Sequence, residues 1–355
     1  PALCRSISRF NLVGTLGCGS YGKVLLGNIA DAPTGISSLQ AIKVLRKRDM
    51  HRDCIEEVKR ELRALRWIAD TVKYTNATQH HQDTGVVFLQ QMFESFQNEN
   101  FVFIVLEYHP VSLGHPLVAA RLRLPNFSLS SEFIAPFQRL QIVAAELSLG
   151  LIFLHQSGIV HQDIKPANIM ISSGGHVVIA DFGASTALPF SFSYEDFPVI
   201  PTSRAQKTFH PVVLNPDNLI TFTPLYAAPE LVCRNKAGLI IYDSRVDWWS
   251  LGVVLYELAT GSTPFGDDDD RHYELALLLQ AFIRAVSLSD YLKGFHHIFD
   301  LQLLVDRASD RLAGEDVKTH PLFESISHLW VEIAALEHPP LPGPPEVSLD
   351  PDTSL

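Results

Sequence analysis

The chain has 355 residues, 46% of them hydrophobic, with a formal net charge of −11 and a pI near 5.7. That length and apolar content suit a large core arranged as two lobes or domains better than one. The acidic balance excludes a nucleic-acid binder relying on a broad basic surface, while a local basic patch remains compatible with it. Cys4, Cys18, Cys54 and Cys233 form no CxxC pair and have no histidine spacing suited to zinc, so they read as reduced thiols. No apolar run of about 18 residues and no charged-then-apolar leader is evident, which predicts neither a membrane nor a secreted protein but a cytoplasmic or nuclear one. The chain starts at Pro1 without Met and reads as a fragment.

Residues 10–28, FNLVGTLGCGSYGKVLLGN, alternate apolar and small residues around Gly17, Gly19 and Gly22. This predicts two short strands and a glycine turn whose amides can approach phosphates. A dinucleotide fingerprint would need a helix directly after the glycines, and KVLLGN reads as strand. In LQAIKVL, Lys43 sits inside an apolar strand, where it must meet an anion or reach solvent at a sheet edge. From Asp53 to Asp70, Ile55, Val58, Leu62, Leu65 and Ile68 share one helical face, with Glu61 beside the stripe, Glu57 a turn earlier and Glu56 toward solvent. Residues 71–84 are polar and unpatterned, predicting a surface loop in which His80 and His81 are solvated rather than metal ligands. Two strands follow, VVFLQQMFESF and NFVFIVLEYH, the second ending before Pro110.

Residues 131–158 open on a capping serine, run apolar at Leu140, Val143, Ala144, Leu147, Leu151 and Leu154, and stop at Gly158, as a long buried helix would. His155 reads as structural. In VHQDIKPAN, residues 160–168, Asp163 can accept a hydroxyl proton, Lys165 can neutralise a phosphoryl group and Asn168 can offer a neutral oxygen to a divalent metal. The apolar run HVVIA then delivers Asp181 at a strand end, with Gly183 freeing the turn, so a second metal ligand would stand there. Asp267–Asp270 read as solvated decoration, with attraction of basic substrates as the alternative.

VHQDIKPAN and ADFG together resemble the catalytic loop and Asp-Phe-Gly motif of protein kinases, except that Gln162 stands where that family usually has Arg. The glycine turn with Val24, the Ala-Ile-Lys strand, FTPLYAAPE, DWWSLG and SDRLAG follow the family's order over roughly residues 10–325. The resemblance implies an α+β, two-lobe kinase-like fold. An N-terminal extension would cover 1–9, a sheet-rich N-lobe 10–108, a mostly helical C-lobe 109–325, and an extended tail 326–355. It implies transfer of the γ-phosphoryl of Mg-ATP to Ser or Thr of protein substrates, with ATP and Mg²⁺ as cofactors and neither nucleic acid nor membrane as partner. Asp163 would orient and deprotonate the hydroxyl, Lys165 steady the transferred group, and Asn168 and Asp181 hold Mg²⁺. Lys43, paired with Glu61, would hold the α- and β-phosphates, and Thr223 would bond Asp163 and Lys165. Leu16, Gly17, Gly19, Gly22, Val24 and Ala41 would enclose the nucleotide, Leu106 wall the adenine pocket, and backbone groups of Glu107 and His109 bond adenine. His161 would pack near the Asp-Phe-Gly turn, Asp247 would cap the catalytic loop, and Glu230 would pair with Arg311.

AIKVLRKRDM, SDRLAG with HPLFESISHLW, and the tail EHPPLPGPPEVSLD sharpen the likeness toward the AGC group, with Leu341 where that group has Phe. The tail reaches Leu355 without the aromatic motif that in this group docks on the N-lobe, which reads either as truncation or as a Lys43–Glu61 pair stabilised without that help, a regulatory partner on the N-lobe being one candidate partner. Gln162, and Leu219 at the usual phosphothreonine position, predict activity without loop phosphorylation. Gln162, Phe222 in place of Gly, the enlarged activation segment Asp181–Glu230 with its insert at about 184–219, and the missing tail motif also suit a pseudokinase scaffold. Retention of every polar catalytic position favours the enzyme.

Overall fold

The computed structural model describes residues 6–19, 22–29, 39–78, 85–124, 131–193, 206–215, 218, 220–264, 303–343 and 349–354. Five antiparallel strands form the first lobe's sheet: β1 (Phe10–Gly19), β2 (Gly22–Ile29), β3 (Leu39–Arg46), β4 (Met92–Gln97) and β5 (Phe101–Glu107), in the order β1-β2-β3-β5-β4. The period of two decides where β3 sends its side chains. Ile42 and Val44 pack with Phe10, Leu25, Phe103 and Val105, while Lys43 and Leu45 point to the opposite face, under the helix that follows.

That helix, α1 (Arg52–Thr78), buries Leu65 and Ile68 completely and Val58 and Leu62 in part, whereas Ile55 at its start is 39% exposed. The loop expected from residue 71 is helix through Thr78. Val72 continues the apolar stripe one turn past Ile68, and the Thr71 hydroxyl bonds back to the Trp67 carbonyl at 2.9 Å. His80 and His81 lie outside the described residues. The strand expected from Val86 begins only at Met92, behind a 3-10 turn at Gly85–Phe88. Val86, Phe88 and Leu89 are all buried, so no period-two alternation is available, and a Cβ on Gly85 would sit 1.9 Å from the Leu149 carbonyl oxygen. This segment therefore packs on a helix instead of pairing in the sheet.

The second lobe is built on α2 (Pro116–Leu122), α3 (Ser131–Gln156), α4 (Pro229–Val232), α5 (Arg245–Thr260) and α6 (Trp330–Ala334). Contrary to the expectation of no such run, Ala135–Gln156 is long and apolar enough to cross a membrane by length and composition alone, but it is mostly buried as the core helix. β6 (Val111–Ser112), β8 (Ile169–Ile171) and β9 (Val177–Ile179) form a three-stranded sheet beside it. One apolar core runs from Leu45, Ile68 and Ile104 through Phe88 and Phe182 to Leu147, Leu151, Trp248 and Val254, joining sheet and helices.

Of the described residues in 184–219, a stretch whose character composition leaves open, most are strand. β7 (Ile159–Val160) pairs with β10 (Thr186–Ala187), β11 (Phe190–Ser193) with β12 (Gln206–Phe209), and β13 (Val212–Leu214) with β14 (Ile240–Tyr242). Phe209 lies over Gly158, whose φ of 75° and missing Cβ both suit glycine; a Cβ there would meet the ring at 2.1 Å. The tail crosses the same molecule. Leu341 is buried and its N–H reaches the Gly175 carbonyl, and Asp350 exchanges two backbone hydrogen bonds with Thr15 of β1. Leu219 and Asp267–Asp270 lie outside the described residues.

Candidate active site

The loop after β7 turns because it is pinned by one buried carboxylate. Asp247, fully buried on α5, accepts the N–H groups of His161 and Gln162, each at 2.8 Å, and the Nε2–H of His155 at 2.8 Å. Three donors on one carboxylate offset the cost of burying it. Gln162 takes a left-handed φ of 68°, and this sharp turn brings Asp163 from the buried loop to a partly exposed position. His161 is buried against Phe182, receives the Asp163 N–H on Nδ1 and bonds the Ala180 carbonyl through Nε2 at 3.0 Å. One imidazole thus ties the loop to the start of the Asp-Phe-Gly turn.

Asp163 is the centre of a dense constellation. The Thr223 hydroxyl donates to its Oδ1 at 2.6 Å, and the Asn168 amide and Lys165 ammonium lie 2.9 and 2.8 Å from Oδ2. Lys165 also donates to Thr223 at 2.7 Å, and Asn168 to the Asp163 carbonyl at 2.9 Å. A carboxylate offers about four lone-pair positions. Both on Oδ2 are filled, so one on Oδ1 is left for an incoming hydroxyl.

Opposite this loop, Lys43 on β3 meets Glu61 on α1 at 2.8 and 2.9 Å and Asp181 at 3.8 Å. Burial opposes the Lys43 charge, but Glu61 and Asp181 outweigh it and hold its pKa above that of an ordinary lysine. Burial pushes the Glu61 carboxyl up against the pull of Lys43. Burial also disfavours ionised Asp181, yet Lys43, His161 and the Gly183 N–H prevail and keep its carboxyl below the usual range. Arg60, one residue before Glu61, donates to the Gly183 carbonyl at 3.0 Å, a helix-to-turn tie that sequence reading passed over because Arg60 falls off the apolar stripe.

Asn168 and Asp181 stand side by side, since the Ala180 N–H bonds the Asn168 carbonyl at 2.8 Å. With its amide nitrogen committed to Asp163, Asn168 keeps its side-chain oxygen free of that contact, and the ionised Asp181 carboxylate is half exposed beside it. One neutral oxygen and one carboxylate are the hard donors Mg²⁺ accepts, with phosphate oxygens and water completing its shell. Among the described residues no group of three or more His, Cys, Asp or Glu could hold a metal ion.

Val24 lies opposite Lys43 across β2 and β3, Gly17 opposite Val24, and Ala41 opposite both Leu26 and Leu106. Leu16, Val24, Ala41 and Leu106 are half-buried, and Gly17 and Gly19 are exposed at the strand end. The Glu107 N–H is used by the Gln91 carbonyl at 3.0 Å, and its own carbonyl already accepts the Gln90 side chain at 3.0 Å, so one lone pair there is open to a ligand. The His109 ring is buried with neither nitrogen hydrogen-bonded, and burial lowers its pKa to about 4. Glu230 grips Arg311 at 2.7 and 3.1 Å in the second lobe.

Two partners of this site carried no sequence signal. Tyr242 donates to the Gln162 side-chain oxygen at 2.8 Å across 80 positions, and Asp350 runs beside Thr15 next to the glycine turn. Long-range pairs of single polar residues leave no periodic trace.

The protein kinase domain model matches residues 10–323. The chain is 29% identical over 353 residues to Phototropin-2 of Oryza sativa subsp. japonica, covering 95% of this chain and 34% of that protein. It is 29% identical over 344 residues to Protein kinase C epsilon type of Oryctolagus cuniculus, covering 94% and 38%. With the RAC serine/threonine-protein kinase of Drosophila melanogaster the figures are 28% over 354 residues, 98% and 47%. The chain thus spans between 34% and 47% of the length of these relatives. Its sheet-and-helix lobes, the loop carrying Asp163 and a family match over residues 10–323 establish that the chain belongs to the protein kinase family, with an AGC-like character.

Proposed function

We propose that this chain is an active serine/threonine protein kinase that transfers the γ-phosphoryl of Mg-ATP to hydroxyls of protein substrates. The observation that carries the proposal is the Thr223–Asp163–Lys165–Asn168 constellation, in which Thr223, Lys165 and Asn168 all bond Asp163 and one acceptor position on Asp163 is open. A substrate hydroxyl donating there is held and, as its oxygen bonds to phosphorus and the bond to ADP breaks, its proton passes to Asp163. Lys165 offsets the negative charge of the transferred group, and Lys43, fixed by Glu61, holds the remaining phosphates. Mg²⁺, when bound by Asn168 and Asp181, supplies charge neutralisation of the phosphate oxygens.

Phosphoamino-acid mapping after incubation with Mg-ATP and a mixed basic protein substrate tests this reading. The expected product is phosphoserine and phosphothreonine, abolished by Lys43→Met. Phosphotyrosine alone would overturn the specificity, and ATP-induced thermal stabilisation with no product would favour a scaffold.

A further inference from the structure

Resting on that kinase reading, we infer that Tyr242 is a positioning residue for the catalytic loop, a neutral clamp doing in the unmodified chain what a phosphate on this segment would otherwise do. The loop residue before Asp163 is Gln162, with a left-handed backbone and a side chain sealed from solvent at 3% exposure. A buried amide oxygen without a donor is costly, and such a φ persists only when its surroundings over-determine it. The surroundings do so twice. Asp247 fixes the Gln162 N–H, and the Tyr242 hydroxyl donates to the Gln162 Oε1 at 2.8 Å.

Tyr242 is itself anchored to the segment whose placement matters. It ends β14, directly opposite Val212 of β13, and its ring packs with Val160, Leu188 and Trp249. Thr186 of β10 hydrogen-bonds the same hydroxyl. Burial first, and the Asp247 charge after it, keep the phenol protonated and hence a donor. The bond therefore joins β10, the β13–β14 pair and the catalytic loop without any charged modification. The side chain next to Asp163 is a neutral amide with no charge for a phosphate to pair with, and the Thr221 hydroxyl donates to Glu57 of α1 at 3.2 Å.

The test is a double-mutant cycle of Tyr242→Phe and Gln162→Leu on the full chain, reading kcat, KM for ATP and melting temperature, with phosphatase-treated wild type alongside. Leaving Gln162 Oε1 without its donor should lower kcat about five- to tenfold with KM for ATP within twofold. Adding Tyr242→Phe to Gln162→Leu should then change kcat no further, since the partner is gone. If the two losses multiply, or if Tyr242→Phe lowers the melting temperature while kcat at 20 °C below it is unchanged, Tyr242 is structural only and the inference fails. Should Tyr242→Phe not fold, Gln162→Leu alone reads the same bond by the kcat-against-KM split. A wild-type chain without transfer activity would instead refute the kinase reading, which the first arm reveals separately.

Discussion

His109 gives the sharpest test of the electrostatics at the junction between the lobes. Its ring is buried at 6% exposure, both nitrogens lack partners, and the Glu107 carboxylate, half exposed and 4.0 Å away, does not offset the burial that lowers the pKa from 6.5 to about 4. The unfolded chain therefore binds a proton below pH 6.5 that the folded chain refuses until about pH 4, so stability falls as pH falls through that window. The full effect is about 3 kcal/mol, of which about 2 kcal/mol is lost between pH 7 and pH 5. His109→Leu removes the titrating ring at similar volume. Urea unfolding of wild type and variant at pH 7 and pH 5 should show the variant losing about 2 kcal/mol less on acidification, with every other titrating group cancelling in the comparison. Parallel pH dependence of the two proteins would show that the ring is solvated or bonded, contrary to its burial here.

Other consequences are equally direct. Gly158→Ala places a methyl group against Phe209 at a left-handed residue and should cost about 2 kcal/mol in urea unfolding. Arg311→Leu strands Glu230 and breaks a buried pair, which should lower stability by about 3–5 kcal/mol in denaturant titration. Deleting residues 349–355 should accelerate amide exchange at Thr15, whose N–H is held by the Asp350 carbonyl at 2.7 Å, without altering exchange in α5. Phosphatase treatment checked by intact mass should leave transfer activity within twofold, because Gln162 carries no charge for a phosphate to pair with.

What could be read from the sequence was whatever repeats or clusters locally. The alternation around Lys43, the stripe from Val58 to Ile68 and the compact motif from His161 to Asn168 each concentrate their signal within a few turns or strands. The end of α1 is hard to read because Thr71–Thr78 is mostly polar and has no apolar period, so packing of Val72, together with a helix already formed, overrides composition. The 3-10 turn at Gly85–Phe88 was misread as strand because a short apolar run looks the same whether it pairs in a sheet or packs on a helix. Two strands of 184–219, β10 and β13, are illegible for a different reason: their partners Ile159–Val160 and Ile240–Tyr242 are supplied from elsewhere in the chain. Tyr242 itself, one tyrosine among nine, means nothing until the fold sets it beside Gln162.

The most direct trial of the whole account is turnover by wild type and Asp163→Asn at saturating Mg-ATP, with ATP affinity measured on both. The account predicts label on protein Ser or Thr, a loss of about 100-fold or more in the variant, and unchanged ATP affinity, since Asp163 faces the hydroxyl and not the nucleotide. Equal activity in the two proteins, or equal silence while ATP still binds, would contradict it.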